Sequence, residues 1–261
     1  MPLPSTLLAI DIGNTNVTMG LWQDGTWRHD WRVRTVHNKM PDEYAALVRS
    51  FLRDSDLTFA DIRRVVIASV VPPLTLAFTE LSERYMHLEP LVVTVKIPLG
   101  IGVDVDSPEQ VGADRLVNAA AAHILYGGSV IVIDFGTATT FDVLTEGRYI
   151  GGSIAPGIGI ALDALVGKTS QLYKVTLEPP PSAIGRNTTH AIQSGLFLGY
   201  VDMIDGLTRR IRAAFPAGAG AKVVATGGLA ALVSKYSTMI EIVAPQLTLD
   251  GLRIIAELNE S

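Results

Sequence analysis

Gly112-Ala113-Asp114-Arg115 places a carboxylate and a guanidinium side by side at the start of an apolar helical run, Leu116–Leu125. A helix N-terminus favours an anion, so the spacing predicts an ionised Asp114 able to accept a hydroxyl proton during group transfer. Arg115 can fork onto a carboxylate or phosphoryl oxygen. The same four residues also suit a plain Asp N-cap followed by a surface arginine.

Two further segments offer phosphate chemistry. Asp11-Ile12-Gly13-Asn14-Thr15-Asn16 follows a short apolar strand. Gly13 lets backbone N–H groups face outward, the polar side chains add uncharged donors, and Asp11 can hold a cation against phosphate oxygens. Asp134-Phe135-Gly136-Thr137-Ala138-Thr139-Thr140 repeats the pattern nearly half a chain later. Facing each other across a cleft, two such loops would clamp a nucleotide's phosphate tail. Taken alone, the first is also compatible with a β-hairpin that needs Gly and Asn for its turn. A third glycine-rich turn, Ala225-Thr226-Gly227-Gly228-Leu229, follows a strand and permits close approach of a flat nucleoside.

The elements that must position these loops read as a duplication. In the first half, strands Leu7–Asp11, Asn16–Trp22 and Thr26–Arg34 precede a helix Asp42–Leu52, a strand Val65–Ser69, a helix Leu74–Tyr85 and a strand Leu91–Val95. In the second, Val130–Phe135, Thr139–Thr145 and Tyr149–Ser153 precede helical patterns at Gly157–Val166 and Thr189–Phe215. A strand Lys222–Thr226, a helix Leu229–Tyr236, a strand Glu241–Val243 and a helix Thr248–Leu258 complete it. A helix over about Gln110–Tyr126 crosses between the halves. The expected fold is α/β with two similar domains, 1–117 and 118–261, related by internal duplication.

Composition narrows the chemistry. The 261 residues include no cysteine, which excludes a thiolate zinc site or a cysteine nucleophile and favours a cytoplasmic home. The net charge of −5 gives no basic field for nucleic acid or anionic membrane. Met1–Ile10 has no basic residue before its apolar run, which Asp11 interrupts too early for a signal peptide or membrane helix. No Walker-type loop or Gly-x-Gly-x-x-Gly fingerprint occurs, and the five histidines lack metal-ligand spacing.

At these residues the sequence resembles the type III pantothenate kinases, a branch of the acetate and sugar kinase, heat-shock chaperone and actin superfamily. The resemblance extends over nearly the whole chain through the two Asp-x-Gly loops, Glu109–Arg115, Gly151–Gly157 and Thr226-Gly227-Gly228. It implies two ribonuclease-H-like domains of the actin-like ATPase fold, closing around MgATP and pantothenate to make 4'-phosphopantothenate, the first step of coenzyme A synthesis. By motif, it implies that Asp11, Ile12, Gly13, Asn14, Thr15, Asn16, Val17 and Thr18 line the ATP phosphates, with Asp11 toward Mg²⁺, and that Thr137 contacts ATP. It implies that Gly112, Ala113, Asp114 and Arg115 contact pantothenate with Asp114 as proton acceptor, that Asp134 holds K⁺ or NH₄⁺, and that Thr188 reaches substrate at a homodimer interface. Two segments depart from the family pattern: Val105 stands where many relatives place Tyr, and Lys168–Tyr173 replaces a more usual Thr-Ala-x-Leu-Pro. A kinase for another small hydroxy acid and a non-catalytic transcription-activator relative are the alternatives.

Overall fold

The computed structural model describes residues 6–260; residues 1–5, on which part of the reading of Met1–Ile10 falls, lie outside the described residues. The chain divides into two compact units. The first runs through Leu125 and resumes at Gln246; the second is Tyr126–Pro245.

In the first unit, β1 (Leu7–Ile12), β2 (Asn16–Gln23) and β3 (Thr26–Arg34) form an antiparallel meander. The turn between β2 and β3 is Asp24-Gly25, both with positive φ, as a two-residue hairpin requires. Helix α1 (Pro41–Arg53) leads to β4 (Arg64–Ser69), which pairs parallel to β1; α2 (Pro72–Leu81) leads to β5 (Leu91–Val92), parallel to β4. The strand order is β3-β2-β1-β4-β5. Alternation along β1 sends Leu8, Ile10 and Ile12 into the core shared with α1 and α2, and Leu7 and Ala9 to the opposite face. After a two-residue strand β6 (Gly102–Val103) comes α3 (Ala113–Tyr126), which covers that opposite face with Leu116, Val117 and Ala120.

The second unit repeats the plan. β7 (Val130–Phe135), β8 (Ala138–Thr145) and β9 (Arg148–Pro156) form a meander turned by Glu146-Gly147. Helices α4 (Ile158–Gly167), α5 (Thr188–Gln193) and α6 (Gly199–Ala213) follow. Then β10 (Lys222–Gly227) lies parallel to β7, and beyond α7 (Ala230–Val233) β11 (Ile242–Val243) lies parallel to β10. Among themselves, these strands run β9-β8-β7-β10-β11, the same order as in the first unit. The single helix expected at Thr189–Phe215 runs on from Thr188 to Ala213, with a π-helical stretch over Ser194–Leu198 inside it.

The last helix, α8 (Leu247–Leu258), returns to the first unit. Leu249, Leu252, Ile255 and Ala256 join the core under α3, and Gly251 admits the closest approach: a Cβ there would lie 2.2 Å from the Val117 carbonyl oxygen. Trp27 donates from Nε1 to Asp250 at 2.9 Å, and Thr248 donates to Asn118 at 2.8 Å. A division at 117/118 would therefore cut α3 and separate α8 from its core; the units part at 125/126 and 245/246 instead. No helix among the described residues is long and apolar enough to cross a membrane.

Candidate active site

In the first unit, Asp11 and Asp114 are carried to the same sheet end. Asp11 is the half-buried penultimate residue of β1, opposite Thr18 on β2 and Ala68 on β4. Beyond it, the Gly13 N–H donates to the Asn16 carbonyl at 3.0 Å, closing a tight loop whose Asn14, Thr15 and Asn16 are exposed. Thr35 fixes the loop from behind: its hydroxyl donates to the Gly13 carbonyl at 2.6 Å and its N–H to the Thr15 carbonyl at 2.9 Å. Sequence reading missed Thr35, whose only signal is its place just past the strand paired with β2.

The exit of β4 connects this loop to Asp114. The Val70 N–H donates to the Ile12 carbonyl at 3.0 Å, and a Cβ on Gly112 would stand 3.4 Å from Val70 Cγ1. Gly112 opens α3, its carbonyl accepting from the Arg115 and Leu116 N–H groups at 3.1 and 3.2 Å. The Asp114 carboxylate accepts from the Arg115 N–H at 2.8 Å, with Oδ1 only 2.5 Å from where a Cβ of residue 112 would be. Glycine at 112 is thus what lets the carboxylate lie there. Burial pushes the Asp114 carboxyl above the usual aspartate range, while its backbone hydrogen bonds and the Arg115 guanidinium pull it down. Loss of water thus works against the ionised form that the helix terminus was expected to favour. A carboxylate held above its ordinary range is a better match to a hydroxyl proton.

In the second unit, Asp134 lies opposite Thr140 on β8 and Thr226 on β10. The Gly136 N–H donates to the Ala138 carbonyl at 3.1 Å, leaving Thr137 exposed at the turn. Two glycines press against this loop. Gly227, at φ +88°, leaves no room for a Cβ, which would meet Asp134 Oδ1 at 2.6 Å and the Phe135 N and O at 2.7 Å; a Cβ on Gly157 would meet the Thr137 carbonyl at 2.3 Å. The Gly228 N–H donates to the Phe135 carbonyl at 3.1 Å. Nearby, Tyr200 shares a 2.5 Å hydrogen bond with the Thr139 hydroxyl; burial, with Asp134 adding to it, pushes the phenol up to about 12.

Thr188, the first residue of α5, is exposed and lines a cavity of about 590 Å³ with Leu165, Leu172, Ile192 and Leu196. Leu172 belongs to the divergent Lys168–Tyr173 segment, and the Tyr173 and Thr189 hydroxyls are 2.9 Å apart. That departure therefore bears on the surroundings of Thr188. Val105 is half-buried, ahead of the short helical turn Pro108–Gln110.

The sequence model of the family described as type III pantothenate kinase matches residues 7–210. A type III pantothenate kinase of Dehalococcoides mccartyi is 47% identical over 97% of this chain and 96% of its own length. The chain belongs to the type III pantothenate kinase family. Solved structures share its fold at low identity. One is a Baf family transcriptional activator from Campylobacter jejuni, with a TM-score of 0.62 and 18% identity over 97% of this chain and 98% of that one. Another is a 2-dehydro-3-deoxygalactonokinase protein from Sinorhizobium meliloti, with a TM-score of 0.58 and 16% identity over 97% and 96%. With the two mixed sheets of matching strand order, these place this pantothenate kinase family member in the actin-like ATPase fold.

Proposed function

We propose that this chain transfers the γ-phosphoryl group of ATP to the primary hydroxyl of pantothenate, giving 4'-phosphopantothenate for coenzyme A synthesis. The observation that carries this reading is the near-full-length identity to a named type III pantothenate kinase. The half-buried carboxylate at the head of α3 supports it. Asp114 takes the hydroxyl proton as the oxygen attacks phosphorus in line, and Arg115, with Gly112 and Ala113, holds pantothenate. The Asp11–Thr18 segment receives the phosphates, and Thr137 contacts ATP. Thr188 is a further substrate contact, reached in a homodimer.

The donors suit the ions such a reaction uses. No group of three His, Asp or Glu among the described residues could cage a metal. Asp11 alone therefore fits Mg²⁺ shared with ATP phosphates rather than a site made wholly of protein. Asp134 offers a hard oxygen donor for K⁺ or NH₄⁺. When bound, these cations neutralise charge on the phosphates, so the protein's own contribution is chiefly positioning.

A coupled ATP assay over pantothenate, sugars and small hydroxy acids, with and without K⁺, tests the reading. Turnover is expected with pantothenate and a rise on adding K⁺. Turnover with another hydroxy acid in its place would sink the assignment and implicate Val105. The pH profile gives a second check. Asp114 must be ionised to accept a proton, and burial raises its pKa, so kcat/KM is expected to fall on the acid side with a midpoint above the ordinary aspartate range. A profile flat down to that range would remove Asp114 from the role.

A further inference from the structure

The Asp11–Thr18 segment contains no lysine or arginine, yet the fold brings arginines to it from the edge strand. The register between β2 and β3 shifts at Leu21/Trp22, where Leu21 pairs with His29 and Trp22 with Trp27, leaving Arg28 as the extra residue of a bulge. Past the bulge the alternation is regular. Trp31 stacks on Phe51 of α1 at 5.4 Å between ring centroids, and Trp31 and Val33 pack on the core beneath α1 and α2. Arg32 and Arg34 therefore take the other face, that of Asp11. Arg32 lies opposite Thr18, which lies opposite Asp11, and Arg34 lies opposite Asn16. Two strand spacings of about 4.8 Å separate the backbones of Arg32 and Asp11, within a long side chain's compass.

Both arginines are exposed, and their side chains make no ion pair or hydrogen bond among the described residues. Carboxylates are not scarce, with 26 Asp and Glu against 21 Lys and Arg, and Arg28, Arg64, Arg84, Arg212 and Arg253 each pair with one. Asp30 shares the face but sits beyond Arg32, opposite Gly20 and away from the loop. Two like charges two residues apart on one face repel weakly in water, and an anion between them and the loop would be attracted by both.

We propose that Arg32, with Arg34 beside it, binds the terminal phosphate oxygens of ATP on the Asp11–Thr18 loop, supplying the fixed positive charge that the loop itself lacks. A guanidinium fork matches phosphate geometry in a way that an amide loop and hydroxyls do not. This rests on the reading of that loop as the phosphate site, and its test needs no acceptor. Binding of ATP and of adenosine is measured by ligand-observed NMR titration for wild type, Arg32→Gln, Arg34→Gln and Arg32→Lys, with Arg28→Gln as an equal charge change at the bulge.

Arg32→Gln is expected to weaken ATP at least tenfold while leaving adenosine within twofold. Arg34→Gln should weaken it less, Arg32→Lys should recover part, and Arg28→Gln should match wild type. ATP binding within twofold of wild type in the Arg32→Gln/Arg34→Gln double variant overturns the inference, as does an equal loss in Arg28→Gln. If wild type turns over no pantothenate and Arg32→Gln still loses ATP, the acceptor assignment fails and this one stands.

Discussion

Asp114→Asn is expected to lower kcat for pantothenate phosphorylation by roughly 10²- to 10⁴-fold, the usual range for loss of a general base, without lowering the melting temperature. The amide keeps an oxygen to accept from the Arg115 N–H, so the 2.8 Å bond at the head of α3 survives. It also removes a buried charge. Because the folded pKa of Asp114 is raised, this group favours the folded protein at pH below the ordinary aspartate value. That advantage is lost as pH rises through the raised value. At neutral pH the substitution therefore relieves a cost, and a loss of activity cannot be ascribed to unfolding. Single-turnover kinetics beside a thermal melt check it. Full kcat in the variant would mean that another group takes the proton. Rescue of kinase-deficient cells by wild type but not by Asp114→Asn would tie the same carboxylate to the cellular role; rescue by neither would favour a regulatory one.

Gly227→Ala should be strongly damaging on the proposed ATP side. Its φ of +88° strains any side chain, at about 1–3 kcal/mol. The added Cβ would also fall within 2.7 Å of two Phe135 backbone atoms and 2.6 Å of Asp134 Oδ1. Backbone in the last paired rung of β7 and β10 cannot retreat cheaply, so either β10 parts from β7 there or the Asp134 loop shifts. Both outcomes should lower stability and impair ATP use together. Loss of about 2–4 °C in melting temperature per kcal/mol is the scale to look for. The adjacent Gly228, whose Cβ would meet nothing within 4 Å, makes the control: Gly228→Ala should be mild. Equal melting temperatures for the two variants would refute the steric argument.

The parts of this fold that were legible in the sequence are those set by neighbours along the chain. Asp24-Gly25 and Glu146-Gly147 turn hairpins because positive φ is cheap there, and period-two alternation gives the strands between them. The duplicated Asp-x-Gly loops followed from the same local grammar. What the sequence hid depends on partners far along the chain. The amphipathic pattern of Thr248–Leu258 announces a helix but not the sheet it covers. The π-helical turn at Ser194–Leu198 breaks no apolar rhythm. At the proposed site, type and position single out Asp114, but its raised pKa comes from burial that spacing does not report. The side of the sheet taken by Arg32 depends on a bulge at Arg28, which only the pairing of β2 with β3 reveals.

The return of α8 has a bearing on how the protein is made. Residues 247–258 are synthesised after the whole of the second unit, yet Leu249, Leu252 and Ile255 fill the core that Ala9, Val66 and Val117 share. On the ribosome, the first unit therefore emerges with one face of its sheet covered by α3 alone, without α8. It must wait while some 120 residues that fold around a different core pass by. The second unit, continuous from Tyr126 to Pro245, has no such debt and can complete its sheet as soon as β11 is out. The unit whose residues appear first is thus the one that finishes last, and the carboxylate of Asp114 waits with it.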